Sequence, residues 1–249
     1  MRVTRIHVPA SLASGALLEL PAQQGRHLAR VLRLAEGAPV TLFNGEGGEF
    51  DAAIAAIRRD TVTVRVGAHQ AIERESPLQV TLLQGIARGE KMDLILQKAT
   101  ELGVACIVPV SMTRSNVRLT ADNALRKQEH WQAVVTSACE QCGRNRVPGV
   151  AAPAAFTAAV QAAPAGLKLL LSPDESSRTP TSLLAGDSRR AGIAITLLVG
   201  PEGGFDADEI RIAALGGFTG CRLGPRVLRT ETAALAALAA LQVVAGDLS

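Results

Sequence analysis

Residues 195–209 read ITLLVGPEGGFDADE. An apolar run without polar alternation stops at Gly200, passes through Pro201, Glu202, Gly203 and Gly204, and enters an acidic stretch. A short continuous apolar run bounded by turn residues fits a strand buried on both faces, and acidic residues after a turn favour a helix N-terminus. Strand, glycine-rich loop and helix in that order form the repeating unit of a parallel α/β sheet. In such sheets ligands bind beyond the carboxyl ends of the strands, where glycines let the backbone approach them closely. A tight turn needing positive φ, followed by ordinary helix capping, fits the same spacing. The segment alone leaves both readings open. Neither GxGxxG nor GxxxxGK[ST] occurs, which excludes the dinucleotide fingerprint and the P-loop.

The flanking sequence repeats the rhythm. LQVTLLQGI (78–86) reads as a buried strand, EKMDLILQKATELGV (90–104) as a helix with a glycine terminator, and CIVPV (106–110) as a strand. A long helix is expected from about 122 to 143, strands near 167–171, 193–199 and 218–223, and helices from about 206 and from 230 to 245. The Ala-rich stretch 151–165 reads as a loop with a short helix. Strands alternating with helices predict an α/β domain whose mainly parallel sheet is covered on both faces.

Upstream the pattern differs. RIHVPA (5–10), PVTLFNGEGGEFDAAI (39–54) and TVTVRVGA (61–68) are strand and hairpin signals around one helical insert at 21–37. The charged, proline-ended AIERESP (71–77) breaks the two patterns apart. The expected division is a small β-rich domain over 1–72, a linker over 73–77 and an α/β domain over 78–249.

Among the 249 residues the aromatics make up 2%, five Phe, one Trp and no Tyr. That argues against a single-stranded nucleic-acid site built on several stacking rings. No apolar run approaches the ~20 residues of a membrane helix and the amino terminus lacks a secretory apolar core, so a cytoplasmic protein is expected. The net charge is +3, and 22 of the 26 basic residues are Arg. An arginine bias suits planar phosphate contacts, and a codon bias accounts for it equally. The basic excess lies in the first 150 residues.

Three further groups carry chemistry. In CRLGPRVLRTETAALAALAALQVVAG (221–246) a strand crosses RVLR into a helix with Thr230 as its expected cap and Glu231 in its first turn. That helix is Ala and Leu on nearly every face, which predicts burial all round, by core packing or at a subunit interface. Arg88, Lys91, Arg114, Arg118, Arg144 and Arg146 stand at element ends that an α/β fold can bring to one crevice, or they make a solvated basic surface. CEQC (139–142) has no second CxxC or HxxxH, so metal is not expected and the thiols read as incidental. No GxSxG elbow is present.

EKMDLILQKATELGV, SMTRSNV (111–117), EQCGRNRVP (140–148), LLVGPEGGF and LGPRVLRTETAA, in this order, resemble the RsmE-type 16S ribosomal RNA (uracil-N3)-methyltransferases of the SPOUT superfamily. RHLARVLRL (26–34) and LFNGEGGEF (42–50) resemble that family's amino-terminal PUA-like RNA-binding barrel. The chain departs from the pattern at Arg88, where lysine is frequent, and at His130, where arginine is common. The resemblance implies a trefoil-knotted α/β catalytic domain, S-adenosyl-L-methionine as cofactor, and a homodimer through the C-terminal domain. It also implies 3-methyluridine formation in 16S rRNA of the small ribosomal subunit. On this resemblance the cofactor pocket comprises Leu171, Ser172, Gly200, Glu202, Gly203, Gly204, Leu223, Gly224, Val227, Leu228, Arg229 and Thr230.

Methylation at uracil N3 requires loss of the N3 proton and spreads negative charge onto O2 and O4, which calls for a carboxylate base and a cation. Glu231 or Glu202 is the expected proton acceptor, directly or through a water, and Arg229 the expected stabiliser. A Glu202–Arg229 ion pair that only holds the loops is the rival expectation. Arg30, Arg33, Arg88, Lys91, Arg114 and Arg144 are the expected phosphate contacts.

Overall fold

The computed structural model describes residues 3–59, 61–172, 174, 176–184 and 192–248. The chain forms two compact units, Met1–Glu75 with Cys139–Val147, and Ser76–Ala138 with Pro148–Ser249.

In the first unit β1 (Thr4–His7), β2 (Leu17–Glu19), β3 (Pro39–Phe43), β4 (Glu49–Arg58) and β5 (Thr61–Gln70) form one sheet in the order β1-β3-β4-β5-β2. β1 runs parallel to β3 and the other pairs are antiparallel. Strand β5 shows why the sheet has a core face: Val62, Val64 and Val66 are buried while Thr61, Thr63 and Arg65 between them are not. They pack with Leu28, Val40, Leu42 and Ile54.

The helix expected over 21–37 is shorter. α1 (Ala22–Arg26) continues as a single π-helical turn, His27–Val31, and Arg33 turns the chain with φ of 51°. The wider turn carries Val31 and Leu32 away from the face on which Leu28 is buried, and both are exposed. Residues 139–147 pack with this unit, not with the α/β domain to which the sequence boundaries assign them. Polar contacts hold them: Arg5 Nη2 donates to Asn145 Oδ1, the His7 N–H donates to Glu140 at 3.0 Å, and Arg74 donates to the Gly143 carbonyl at 3.0 Å.

The second unit runs β6 (Gln79–Gly85), α2 (Glu90–Glu101), β7 (Cys106–Ser111), α3 (Ala121–Cys142), β8 (Gly149–Val150), β9 (Ala154–Ala155) and α4 (Phe156–Gln161). β10 (Leu167–Leu171), α5 (Pro180–Leu184), β11 (Ala194–Val199), α6 (Ala207–Leu215), β12 (Thr219–Cys221) and α7 (Thr230–Ala245) follow. The last turn of α3 counts with the first unit. The sheet order is β12-β10-β11-β6-β7-β8, with β9 also on β7, and every described pairing is parallel.

The central strands β6 and β11 are the continuous apolar runs of the sequence, buried along nearly their whole length. From β6 the chain adds strands on one side, then crosses to the other, so the strand order reverses between β6 and β11. Reversal opens a crevice at the carboxyl ends of those two strands. Helix α2 buries Met92, Ile95, Leu96 and Ala99, a stripe at helical spacing. Helix α6 starts with a capping box in which the Asp206 carboxylate accepts from the Glu209 N–H and Glu209 accepts from the Asp206 N–H. Helix α7 buries Ala234, Ala237, Leu238, Leu241 and Ala245, but Thr232 and Val243 are exposed, so within the single chain it is not buried on every face. No helix of the described residues is long and apolar enough to cross a membrane.

Candidate active site

Gln84, one residue before the end of β6, is fully buried. Its Nε2 donates to Thr230 Oγ1 and to the Gly85 carbonyl, both at 3.0 Å. Thr230 Oγ1 in turn donates to the Gly200 carbonyl at 2.6 Å. With the hydroxyl proton committed to Gly200, the oxygen needs a donor, which fixes the Gln84 amide with Nε2 toward Thr230. β6, the loop after β11 and the start of α7 are thereby tied at one point. Thr230 is the first helical residue, not the expected cap. Arg229 holds the cap position in extended backbone and gives no side-chain cap bond. The Thr230 hydroxyl oxygen accepts from Gln84 instead of from the helix N–H groups.

A charged cluster sits beside this tie. Lys91 Nζ, in the first turn of α2, lies 3.4 Å from Glu202 Oε1 and 3.9 Å from Glu231 Oε2. Glu202 Oε1 also accepts from the Arg88 N–H at 3.2 Å. Burial opposes ionisation of Glu202, but N–H donors from its own backbone and from Arg88, together with Lys91, outweigh it and hold the carboxyl below its ordinary value. Among the described residues Glu202 pairs with Lys91 rather than Arg229, which removes the expected Glu202–Arg229 pair. Glu231 Oε2 is buried with no hydrogen-bond partner among the described residues.

The neighbouring strand ends complete the edge. Leu171 pairs with Cys221, and the Ser172 N–H donates to the Cys221 carbonyl at 3.0 Å. Leu223 and Leu228 are half-buried, Arg226 and Arg229 are exposed, and Val227 is 82% exposed. Gly204 and Gly224 take φ of 69° and 86° and face open space where a Cβ would stand. At Gly203 a Cβ would meet Arg114 at 2.7 Å, so only glycine lets that strand-end loop close on residue 114. The twelve residues nominated for the cofactor thus lie at the carboxyl ends of the adjacent strands β12, β10 and β11.

The basic residues divide. Arg88 and Arg114 are exposed at this edge, with the Arg114 guanidinium donating to the Gly203 carbonyl at 3.4 Å. Lys91 belongs to the carboxylate cluster. Arg30 and Arg33 are exposed in the first unit. Arg144 is not a surface cation. Its side chain is 7% exposed and its Nε donates to Glu75 at 3.0 Å, so the phosphate contact expected of it is replaced by a buried ion pair. CEQC carries no reactive thiol at Cys139, which burial pushes up to about 12. No cluster of three metal-ligating side chains occurs among the described residues. Sequence reasoning passed over Gln84, although a glutamine inside LQVTLLQGI is the sort of buried polar residue that needs a partner.

The profile of an RNA methyltransferase domain matches residues 74–242, and that of an RNA methyltransferase PUA domain matches residues 20–67. Ribosomal RNA small subunit methyltransferase E of Buchnera aphidicola is 32% identical over 249 residues, 100% of this chain and 99% of its own length. The chain belongs to the ribosomal RNA small subunit methyltransferase E family. Two solved structures are similar to this RNA methyltransferase over 100% of both chains. A methyltransferase structure from Legionella pneumophila with bound SAM has a TM-score of 0.93 at 42% identity. Ribosomal RNA small subunit methyltransferase E from Neisseria gonorrhoeae, bound to S-adenosyl methionine, has a TM-score of 0.89 at 37% identity. The methyltransferase domain of this family member therefore contains the switch-point edge, the Gln84–Thr230–Gly200 tie and the Lys91–Glu202–Glu231 cluster.

Proposed function

We propose that this methyltransferase uses S-adenosyl-L-methionine to methylate N3 of a uridine in 16S rRNA of the small ribosomal subunit, in the cytoplasm. The observation that carries the reading is the convergence at one sheet edge, in a chain of this family, of an open glycine-lined loop pair with two carboxylates and a cation. The donor set fits the cofactor. Leu171, Leu223, Val227 and Leu228 offer apolar walls to an adenine ring, and Ser172 and Gly200–Gly204 offer backbone polar groups. The acidic side chains favour a sulfonium electrostatically.

The bound cofactor supplies an electrophilic methyl carbon. The protein's task is alignment and proton handling. Glu202 or Glu231 removes the N3 proton and Arg229 balances the charge that develops on O2 and O4. The target base reaches the edge unpaired or flipped from its stack. Arg30, Arg33, Arg88 and Arg114 hold the flanking phosphates; Arg144 is left out of that set because it is buried.

The organisation that goes with this reading is a PUA-like RNA-binding barrel over 1–72, a linker over 73–77 and a SPOUT-type domain over 78–249 with that fold's trefoil knot. The enzyme acts as a homodimer through the second domain. The exposed Ile210, Leu215 and Val243 of that domain are apolar surface for such a contact.

Substrate choice is tested by offering labelled cofactor with separated small subunits, large subunits and transfer RNA from cells lacking the modification. Label confined to small-subunit RNA supports the reading, and label in transfer RNA alone contradicts it.

A further inference from the structure

We propose that Glu231 is the proton acceptor of the reaction, and that Lys91 acts as its positioning residue and not as an RNA contact. The inference rests on the uracil-N3 reading above and divides the roles that it leaves shared.

The two carboxylates differ in what already occupies them. Glu202 Oε1 is held by the Arg88 N–H at 3.2 Å and by Lys91 at 3.4 Å. Taking a proton there means surrendering donors fixed by the loop after β6. Among the described residues Glu231 Oε2 has no hydrogen-bond partner, and Lys91 stands 3.9 Å from it. Glu231 has the more buried side chain, 14% exposed against 21% for Glu202. Glu231 also sits next to Thr230, whose hydroxyl is locked to Gly200, so its backbone is fixed at the cofactor edge.

Charge accounting permits this transfer, as it would permit transfer to Glu202; the donors already on Glu202 make the difference. Two carboxylates and one ammonium carry a net charge of −1. When Glu231 takes the N3 proton, Lys91 and Glu202 remain as a balanced pair and no isolated buried charge is left behind. The N3 lone pair so released forms the new nitrogen–carbon bond while the carbon–sulfur bond breaks and its electron pair passes to sulfur. The sulfonium charge and the uracilate charge cancel, and the proton leaves from Glu231 to water.

A lysine held between two carboxylates is poorly placed to reach a phosphate. This replaces the sequence expectation for Lys91 with one that can be told apart in solution. Removing a phosphate-contacting cation lowers the salt dependence of RNA binding by roughly one counterion, whereas removing a positioning cation lowers the rate.

The experiment compares wild type with Glu231→Gln, Glu231→Asp, Glu202→Gln, Lys91→Met and Lys91→Arg. It measures single-turnover methyl transfer to under-methylated small subunits, S-adenosyl-L-methionine binding by calorimetry, and small-subunit binding across a salt series. Expected for Glu231→Gln is a rate loss of roughly 100-fold or more with cofactor binding retained, and a smaller loss for Glu202→Gln. Glu231→Asp regains part of the rate. Lys91→Met lowers kcat with an unchanged salt slope, and Lys91→Arg restores it. The proposal is overturned by any of four results. These are a wild-type rate in Glu231→Gln, a larger loss in Glu202→Gln, loss of cofactor binding in both Glu231 variants, or a Lys91→Met enzyme that loses salt slope but keeps its rate. Absence of 3-methyluridine from the wild-type reaction overturns the underlying reading as well, which separates the two failures.

Discussion

The hydroxyl of Thr230, first residue of α7, donates to the carbonyl oxygen of Gly200, first residue after β11, at 2.6 Å. Residues 30 apart in sequence are joined through one proton, and buried Gln84 supplies the donor that the hydroxyl oxygen lacks. Replacing Thr230 with Val keeps the shape but removes one acceptor from the buried Gln84 Nε2 and the hydroxyl donor from the Gly200 carbonyl. The expected cost is about 1–3 kcal/mol of folding stability. Urea unfolding measures that loss, and calorimetry should show weaker cofactor binding. Thr230→Ser, which keeps the hydroxyl, should retain most of both.

Arg144 is a structural cation. Truncating one partner of a buried ion pair leaves the other charge uncompensated, so Arg144→Ala should cost roughly 3–5 kcal/mol. Glu75→Ala should cost at least as much, because the charge it leaves unpaired, Arg144, is the more buried partner. A double-mutant cycle in urea checks this: strong coupling between 144 and 75 is expected, and additive losses would refute the pairing.

Acid should loosen the first unit through Glu49. Burial opposes ionisation of that carboxyl, but hydrogen bonds from Arg5 and Arg74 outweigh it and hold it below its ordinary value of 4.5. A depressed folded value contributes stability that is present above the unfolded value and lost as pH falls through the folded one. Thermal unfolding followed below pH 4.5 should therefore show a falling midpoint, and Glu49→Gln should flatten that part of the decline.

Cys139 and Cys221 should resist alkylation at neutral pH in the native protein, because burial pushes their thiols up to about 12 and about 11. Mass spectrometry after iodoacetamide treatment, with and without denaturant, checks this. Rapid native labelling of Cys139 would reopen a redox reading of CEQC.

Arg30 and Arg33 carry the test of the RNA surface. Each Ala substitution should reduce the salt slope of small-subunit binding by about 0.7–0.9 and leave the single-turnover rate at saturating RNA unchanged.

The parallel sheet and the glycine loop at its edge were legible because their cause is local. Continuous apolar runs at 78–86 and 193–199 have to be buried on both faces, and the glycines after the second have to turn. The loops that the resemblance grouped follow strands that the sheet order makes neighbours, β12, β10 and β11. What the sequence hid was long-range. Nothing near Arg144 tells that Glu75, 69 residues earlier, will bury it, and the last turn of α3 joins the first unit through Arg5 and Arg74. Thr230 looked like a cap because capping is the commonest use of threonine before a helical run, whereas its partner Gly200 lies on another strand. Nor does spacing reveal that Glu202 and Glu231 converge on Lys91.

The most direct test of the account is nucleoside analysis of small-subunit RNA after reaction of under-methylated subunits with methyl-labelled S-adenosyl-L-methionine and this enzyme. The account predicts label in 3-methyluridine, abolished by Glu231→Gln. Label in any other nucleoside, or in a base carbon rather than N3, would contradict it.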